Sequence, residues 1–126
     1  MSIKSIKSEN APAPIGPYSQ AVESNGFIFT SGQISIDPKT NELIEGSAAD
    51  QAKLVLENLK AVLQAAGSGL DKVVKTTIFL QSMSDFAAVN EVYAQYFNVS
   101  LPARSTVEVS CLPKNVLVEV DCIAVK

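Results

Sequence analysis

Residues 47–80 read SAADQAKLVLENLKAVLQAAGSGLDKVVKTTIFL and are the best guide to the architecture of this chain. The first part repeats apolar residues at the three- and four-residue spacing of one helical face: Ala52, Val55, Leu56, Leu59, Val62, Leu63 and Ala66. Ser47 can cap the first turn together with Asp50, and Gly67 can end the helix. The last part, VVKTTIFL, is rich in β-branched residues, which is typical of a strand. The stretch therefore predicts a helix over residues 47–66 followed by a strand.

Two strands joined by a tight turn are predicted upstream of this helix. In residues 20–36, Asn25-Gly26 lies between the apolar runs QAVES and FIFTSGQIS, and both turn residues tolerate positive φ. Residues 3–7 predict a further short strand. The proline-rich segment 8–20, SENAPAPIGPYSQ, predicts an irregular connection between these strands.

A second helix and two more strands are predicted downstream. The helix begins at Ser82 or Ser84 and carries a stripe typical of a core or a subunit interface: Phe86, Val89, Tyr93, Tyr96 and Phe97. Strands follow over residues 103–110 and 116–125. The order β-β-β-α-β-α-β-β predicts an α+β fold with one domain over residues 1–126. It is a two-layer sandwich, in which two helices cover one face of a mixed sheet.

Composition narrows the class of protein. The chain has 126 residues and a net charge of −3, and its basic residues form no run, which argues against nucleic-acid binding. No apolar stretch has the length of a membrane span, so we expect a soluble, cytoplasmic protein. Cys111 and Cys122 are expected to be reduced and buried. A mean hydropathy of +0.19 favours burial of some apolar surface against other subunits.

The chain contains no histidine, which removes the usual general base, the Ser-His-Asp triad and the common zinc sites. Neither standard Gly-rich phosphate loop occurs. Catalysis would have to come from carboxylates, hydroxyls, lysine, tyrosine, backbone groups or the single arginine. We therefore expect no metal.

That arginine, Arg104, lies in the first of the two final strands. Strand alternation groups Arg104 with Thr106, Glu108 and Ser110, and predicts a core-facing set of Ala103, Ser105, Val107 and Val109. On the last strand the core-facing set is Val116, Val118, Val120, Cys122 and Ala124, which leaves Glu119 and Asp121 on the other face. Arg104 and Glu119 are therefore predicted to share one sheet face.

The residues alone leave two interpretations of that face open. It is either a solvent-exposed surface with cross-strand ion pairs, such as Arg104 with Glu119, each contributing only about 0–1 kcal/mol. Or it is a covered surface, where a guanidinium grips the carboxylate of a small ligand through two parallel hydrogen bonds. Gly32, within Thr30-Ser31-Gly32-Gln33, likewise marks either a simple bulge or the close approach of a ligand.

Six ordered segments decide between these interpretations: NAPAPIGPYSQAV (10–22), FTSGQISIDPKT (29–40), VVKTTIFL (73–80), FAAVNEVYAQYF (86–97), PARSTVEVSCLP (102–113) and VEVDCIAV (118–125). In these segments the chain resembles the reactive intermediate deaminase family, and in particular its RidA subgroup. The resemblance covers almost the whole chain.

The resemblance implies a chorismate-mutase-like subunit that assembles as a homotrimer, with sites in the clefts between subunits. It implies hydrolysis, without a cofactor, of 2-iminopropanoate, 2-iminobutanoate and enamines such as 2-aminoacrylate to 2-oxo acids and ammonia. Pyridoxal-phosphate enzymes release such intermediates. A small 2-imino acid would then be the partner of the site, with no nucleic acid and no membrane.

The resemblance also assigns roles to individual residues. Arg104 would bind the substrate carboxylate, and Glu119 would activate water. The remaining substrate-binding positions would be Tyr18, Ser31, Gly32, Asn90 and Thr106. Many family members carry a cysteine where this chain has Thr106, so any activity that needs that thiol is in doubt.

Two rival functions use the same residues. A non-catalytic trimer that binds 2-oxo acids to regulate a partner would need the same arginine. An endoribonuclease, an activity attached to family relatives, is disfavoured by the net charge of −3 and by the absence of histidine.

Overall fold

A computed structural model describes residues 2–126 as one mixed sheet with two helices. The elements are β1 (Lys4–Ile6), β2 (Ala21–Ser24), β3 (Phe27–Thr30), α1 (Ala48–Ala65), β4 (Val73–Leu80), α2 (Phe86–Tyr96), β5 (Ala103–Glu108) and β6 (Val118–Val125). This order confirms the α+β fold and the succession of elements that the sequence predicts.

The six strands lie in the order β1-β2-β3-β6-β4-β5. All neighbouring strands are antiparallel except β4 and β5, which are parallel and are joined by the crossover through α2. β5 is therefore an edge strand and does not pair with β6. β6 lies in the middle of the sheet, between β3 and β4.

Local signals place the first helix and the hairpin as predicted. The Ser47 Oγ accepts from the Asp50 N–H at 3.1 Å, and Asp50 Oδ2 accepts from the Ser47 N–H at 3.3 Å, which completes a capping box. Asn25 and Gly26 have φ of 52° and 80° in the turn between β2 and β3. The second helix begins later than predicted, because Ser82 caps only a short 3-10 turn before α2 starts at Phe86.

The main core lies between the helices and one face of the sheet. It is made of the inward residues of both helices and of alternate strand residues, including Ile28, Ile78, Leu80, Val118, Val120 and Cys122. A smaller apolar cluster of Ile34, Ile36, Leu112 and Val116 lies on the other side, packed with Phe79. Of the two cysteines, Cys122 is buried as predicted, but Cys111 is exposed because it lies in the loop beyond the end of β5.

The orientation predicted for β5 is wrong. Arg104 is in register with Thr76, which is fully buried, and Thr76 is also in register with the buried Cys122. Arg104 therefore points to the helix-covered face. The opposite set, predicted to face the core, lies on the open face, where Val107 is 41% exposed.

The open face of the sheet carries large apolar side chains. Phe27 and Phe29 are each 42% exposed on the face opposite the buried Ile28. Exposed patches of this kind mark surfaces that bind another protein chain or a ligand. Across residues 2–126, no helix is long and apolar enough to cross a membrane.

Candidate active site

A pocket of about 280 Å³ lies where the proline-rich segment and the chain after β3 meet the start of β6. Four of the residues predicted for the site line it: Tyr18, Ser31, Gly32 and Glu119. Apolar side chains complete the walls, among them Ile15, Ile34, Ile36 and Pro113. The structure thus brings together four predicted site residues from three separate parts of the chain.

Gln20 holds the proline-rich wall of this pocket in place. Its side chain is 2% exposed, and its Oε1 accepts from the Ser8 N–H at 2.6 Å. Its Nε2 donates to the carbonyl oxygens of Pro12 at 2.7 Å and Ser8 at 3.1 Å. The irregular segment 8–20 contains three prolines and forms few internal backbone bonds, so one buried amide satisfies several of its backbone groups.

Tyr18 and Ser31 are fixed at the rim by hydrogen bonds to the backbone. The Tyr18 hydroxyl accepts from the Ile15 N–H at 3.2 Å, while 48% of the residue stays exposed. The Ser31 hydroxyl donates to the Ser19 carbonyl at 2.6 Å. Because that bond uses its only proton, the Ser31 oxygen can face a ligand only as an acceptor.

Gly32 leaves room for the Glu119 carboxylate. The backbone of Gln33 forms a two-way bridge with Val120, Gln33 N to Val120 O at 2.9 Å and Val120 N to Gln33 O at 3.2 Å. This bridge lays Gly32 against Glu119, where an added Cβ would stand only 2.7 Å from the Glu119 Cδ. The sequence offered a simple bulge or the approach of a ligand at this glycine, and the group that lies against it in the structure is a side chain of the pocket.

The electrostatics of the pocket favour a proton-accepting role for Glu119. Partial burial raises the pKa of the Glu119 carboxyl, and the negative charge of Asp121 raises this pKa further. Burial also raises the pKa of Asp121, while the Lys75 ammonium opposes that change. A carboxylate with a raised pKa is a better base at neutral pH than an ordinary glutamate.

Arg104 lies in a separate cradle made by α2. Its Nη1 donates to the Asn90 Oδ1 at 2.7 Å. Its Cζ lies 4.9 Å from the ring centroid of Tyr93 and 5.6 Å from that of Phe86. Between residues 2 and 126 the only ion pair joins Lys126 to Glu23, so the guanidinium has no carboxylate partner among these residues.

Arg104 and Glu119 do not meet within one chain, which corrects the prediction that they share a sheet face. Glu119 is in register with Phe79, on the open face, whereas Arg104 is on the helix-covered face of the edge strand. Thr106 lies on the same face as Arg104. Its Oγ1 is buried without a hydrogen-bond partner among the described residues.

The predicted site residues therefore form two groups. Tyr18, Ser31, Gly32 and Glu119 line the pocket, while Asn90, Arg104 and Thr106 lie together at the outer edge of the sheet.

Sequence reasoning missed the parts played by Phe86, Tyr93 and Gln20. The helical spacing of the aromatic stripe was a signal for the first two, but it was interpreted as core or interface. Nothing in the sequence pattern distinguishes Gln20. Among residues 2–126 no cluster of three or more His, Cys, Asp or Glu side chains could hold a metal ion.

Together, the fold and these two groups define a small α+β protein with an acidic pocket and a separately held arginine at the sheet edge. Comparison with known proteins gives the family. Residues 8–126 match the model of the family described as endoribonuclease L-PSP. The chain belongs to this family, and the resemblance to the reactive intermediate deaminases is confirmed.

Relatives match over nearly their whole length. A RutC family protein of Pyrococcus horikoshii is 58% identical, with 96% of each chain covered. The 2-iminobutanoate/2-iminopropanoate deaminase of Salmonella typhimurium is 49% identical, with 98% of each chain covered. The crystal structure of RidA from an Antarctic Psychrobacter superposes with a TM-score of 0.93 at 43% identity, covering 98% of this chain and 99% of that one.

Proposed function

We propose that this protein hydrolyses small 2-imino acids, and the enamines in equilibrium with them, to 2-oxo acids and ammonia. The single observation that carries the proposal is the division of the site. Within residues 2–126, an arginine that has no carboxylate partner and a carboxylate with a raised pKa occupy different faces of one sheet. These two groups can act on one small molecule only when two copies of the chain meet.

The proposed site is therefore composite, with Arg104, Asn90 and Thr106 from one subunit and Tyr18, Ser31, Gly32 and Glu119 from its neighbour. The apolar open face, with Phe27 and Phe29 exposed, supports burial against other copies of the chain. We propose a homotrimer, in which each subunit gives its arginine to one neighbour and its pocket to the other.

Arg104 would bind the substrate carboxylate through parallel hydrogen bonds from its planar fork. This contact sets the adjacent C=N carbon over the pocket of the neighbouring subunit. Holding the reactants in place removes much of the entropic barrier to attack. No cofactor is needed, because the imine carbon is already electrophilic.

Glu119 would act as the base. A water held by its carboxylate attacks the imine carbon, the C=N double bond becomes single, and Glu119 takes one proton from the water and passes it to the nitrogen. The hydroxyl proton of the resulting carbinolamine then moves to the nitrogen in the same way, the C–N bond breaks to release ammonia, and the carbonyl of the 2-oxo acid forms. Thr106 Oγ1, which has no hydrogen-bond partner among the described residues and lies on the same strand face as Arg104, would bond to the substrate nitrogen.

The names of relatives support this chemistry. The Salmonella protein is named a 2-iminobutanoate/2-iminopropanoate deaminase, and so is a mouse relative that is 47% identical. Other relatives are named only as RutC family proteins, so the action of this chain on these particular imines is proposed from the two named deaminases.

Subunit mixing tests the composite site. Arg104→Ala and Glu119→Gln are each expected to be almost inactive alone. Refolded together at equal amounts, they should regain about one quarter of the parent activity. In a randomly mixed trimer, about one site in four receives an intact Arg104 from one subunit and an intact Glu119 from its neighbour. As a control, Arg104→Ala refolded with the double variant Arg104→Ala, Glu119→Gln should regain nothing. No recovery in the first mixture would contradict the composite site.

The second candidate function is a non-catalytic regulator that binds 2-oxo acids at the same place. The exposed arginine, which has no carboxylate partner among the described residues, would serve such a protein equally well. Ammonia release separates the two functions. Iminopropanoate generated in the assay by a serine-dehydrating enzyme should lose ammonia faster than in buffer, and a rate equal to that of buffer would favour the regulator.

A further inference from the structure

The ring of Tyr93 forms the floor beneath the Arg104 guanidinium. Tyr93 is 7% exposed, and the Arg104 Cζ lies 4.9 Å from its centroid, within the range of about 6 Å in which a cation is attracted to a ring face. Phe86 approaches the same cation less closely, at 5.6 Å. The guanidinium thus lies against two rings and still keeps an exposed edge.

The Tyr93 hydroxyl is tied to the strand pair that carries Arg104. It lies 2.8 Å from the Thr76 Oγ1, and both residues are buried. Thr76 is the register partner of Arg104. A phenylalanine would fill the same core without burying a hydroxyl, which needs a partner to avoid a desolvation cost. The hydrogen bond between the two hydroxyls therefore holds the Tyr93 ring next to Thr76, the residue that pairs with Arg104 across the two strands.

The third contact fixes the rotation of the guanidinium. Phe86, Asn90 and Tyr93 are spaced by four and three residues and so lie on one face of α2. The Asn90 Oδ1 accepts a hydrogen bond from the Arg104 Nη1, which fixes the direction of that N–H group. With five N–H donors in a rigid plane, the fork keeps a free edge for a carboxylate.

We propose that Tyr93 is a positioning residue for Arg104. Its ring holds the guanidinium plane, and its bond to Thr76 helps to hold that ring in position, so that the fork meets a carboxylate already oriented. This inference rests on the proposed function only in taking Arg104 as the carboxylate anchor. A long side chain on an exposed edge strand would otherwise lose its rotamer freedom on each binding event.

The single arginine makes a direct test possible. In a ¹⁵N-labelled protein the side-chain Nε–H signal can come only from Arg104. Protons over a ring face are shifted upfield, so this signal should lie upfield of its position in a short peptide. Tyr93→Leu should move it back towards the peptide value, and Tyr93→Phe should leave it upfield.

Ligand binding gives the second readout. We expect the Kd of a 2-oxo acid such as pyruvate to rise about tenfold in Tyr93→Leu and much less in Tyr93→Phe, because a ring-face contact of this kind accounts for about that ratio. KM should rise with it, and kcat should change less.

Phe97→Leu is the matched control. Phe97 is buried beside Tyr93, with ring centroids 4.6 Å apart, while the rings that lie against the arginine among the described residues are those of Phe86 and Tyr93. Its loss should lower Tm as much as Tyr93→Leu does, yet leave the Nε–H signal and the Kd unchanged. If Tyr93→Leu does not fold, fluorinated phenylalanines at the same position keep the shape and weaken the ring face stepwise, and Kd should rise with each added fluorine.

An unchanged Nε–H signal and Kd in folded Tyr93→Leu, or a Kd indifferent to ring fluorination, would overturn the inference. Failure of the deaminase proposal would look different. Ammonia release would then be absent from the parent protein, while the Nε–H signal would still respond to Tyr93.

Discussion

Gly32 faces Glu119 so closely that a single methyl group would collide with the carboxylate. An alanine Cβ there would lie 2.7 Å from the Glu119 Cδ, below any normal contact distance. The backbone of Gly32 cannot withdraw freely, because the next residue is bonded on both sides to Val120. The glutamate side chain, and not the main chain, would have to move.

Gly32→Ala is therefore expected to lower kcat by about tenfold or more, since displacing a catalytic group by about 1 Å can cost a hundredfold. The affinity for a 2-oxo acid, set by Arg104, should change little. Steady-state rates of ammonia release and calorimetric binding check the two parts. Gly26→Ala is the control: its φ of 80° makes it destabilising, but it lies in the β2–β3 turn and should keep full kcat/KM. Unchanged kcat in Gly32→Ala would contradict the base role of Glu119.

Arg104→Lys separates charge from shape at the anchor. Lysine keeps the positive charge but cannot offer two parallel hydrogen bonds or lie flat on Tyr93. We expect kcat/KM to fall by about a hundredfold in Arg104→Lys and further in Arg104→Ala. Both variants should melt near the parent temperature, because the side chain is exposed and makes no ion pair. A lysine variant with parent kcat/KM would show that charge alone suffices.

The elements that sequence predicts well are those with local causes. The first helix has a capping box, an apolar face and a glycine at its end, all within residues 47–67. The hairpin turn needs only Asn25 and Gly26. No information from distant residues is required for either.

The division of the site was missed because it depends on long-range pairing. Alternation put Arg104 and Glu119 on one face because the apolar Val107 and Val109 were assigned to the core, yet the parallel pairing of β5 with β4 sets Arg104 beside the buried Thr76. That pairing sends β6 to the other side of β4. The alternation pattern of β5 could not reveal this error. β5 is an edge strand under a short helix and has no clearly buried face, since Arg104 and Val107, on opposite faces, are both exposed.

Asp121→Asn should shift the acid limb of the activity profile. Glu119 acts as a base only when ionised, so activity is lost as the pH falls through its raised pKa. Burial is the main cause of that raised pKa, and the Asp121 charge is the second cause. Removing this charge should move the acid limb of kcat/KM to lower pH and leave its shape unchanged. The check is a pH–rate profile of both proteins, in which an unmoved limb would remove Asp121 from the electrostatics of the site.

Glu119→Gln should stabilise the fold at neutral pH. Because the pKa of Glu119 is raised in the folded state, folding favours its protonated form. The contribution of this group to stability is full below its unfolded pKa and is lost as the pH rises through its folded pKa. The glutamine variant, always neutral, escapes that loss, so its Tm should exceed that of the parent at pH 7 and approach it at acid pH. Thermal unfolding at both pH values measures the difference, and a higher Tm at acid pH only would contradict the prediction.

Gln20→Leu should loosen the pocket wall before it affects the core. The buried amide binds three backbone groups, the Ser8 N–H and the carbonyl oxygens of Ser8 and Pro12, and leucine leaves those groups without this partner. We expect a loss of about 1–3 kcal/mol in the free energy of unfolding, the usual cost of a buried group left unsatisfied. Amide exchange should speed up at the Ser8 N–H, while α1 stays protected. Since Tyr18 belongs to the same segment, KM should rise although no substrate contact is removed.

Asn58→Leu is the control variant. It also removes a buried amide bond, from Asn58 to the Ile36 carbonyl at 2.9 Å, but does not touch the proline-rich segment. Equal exchange rates at Ser8 in the two variants would show that Gln20 does not hold the wall.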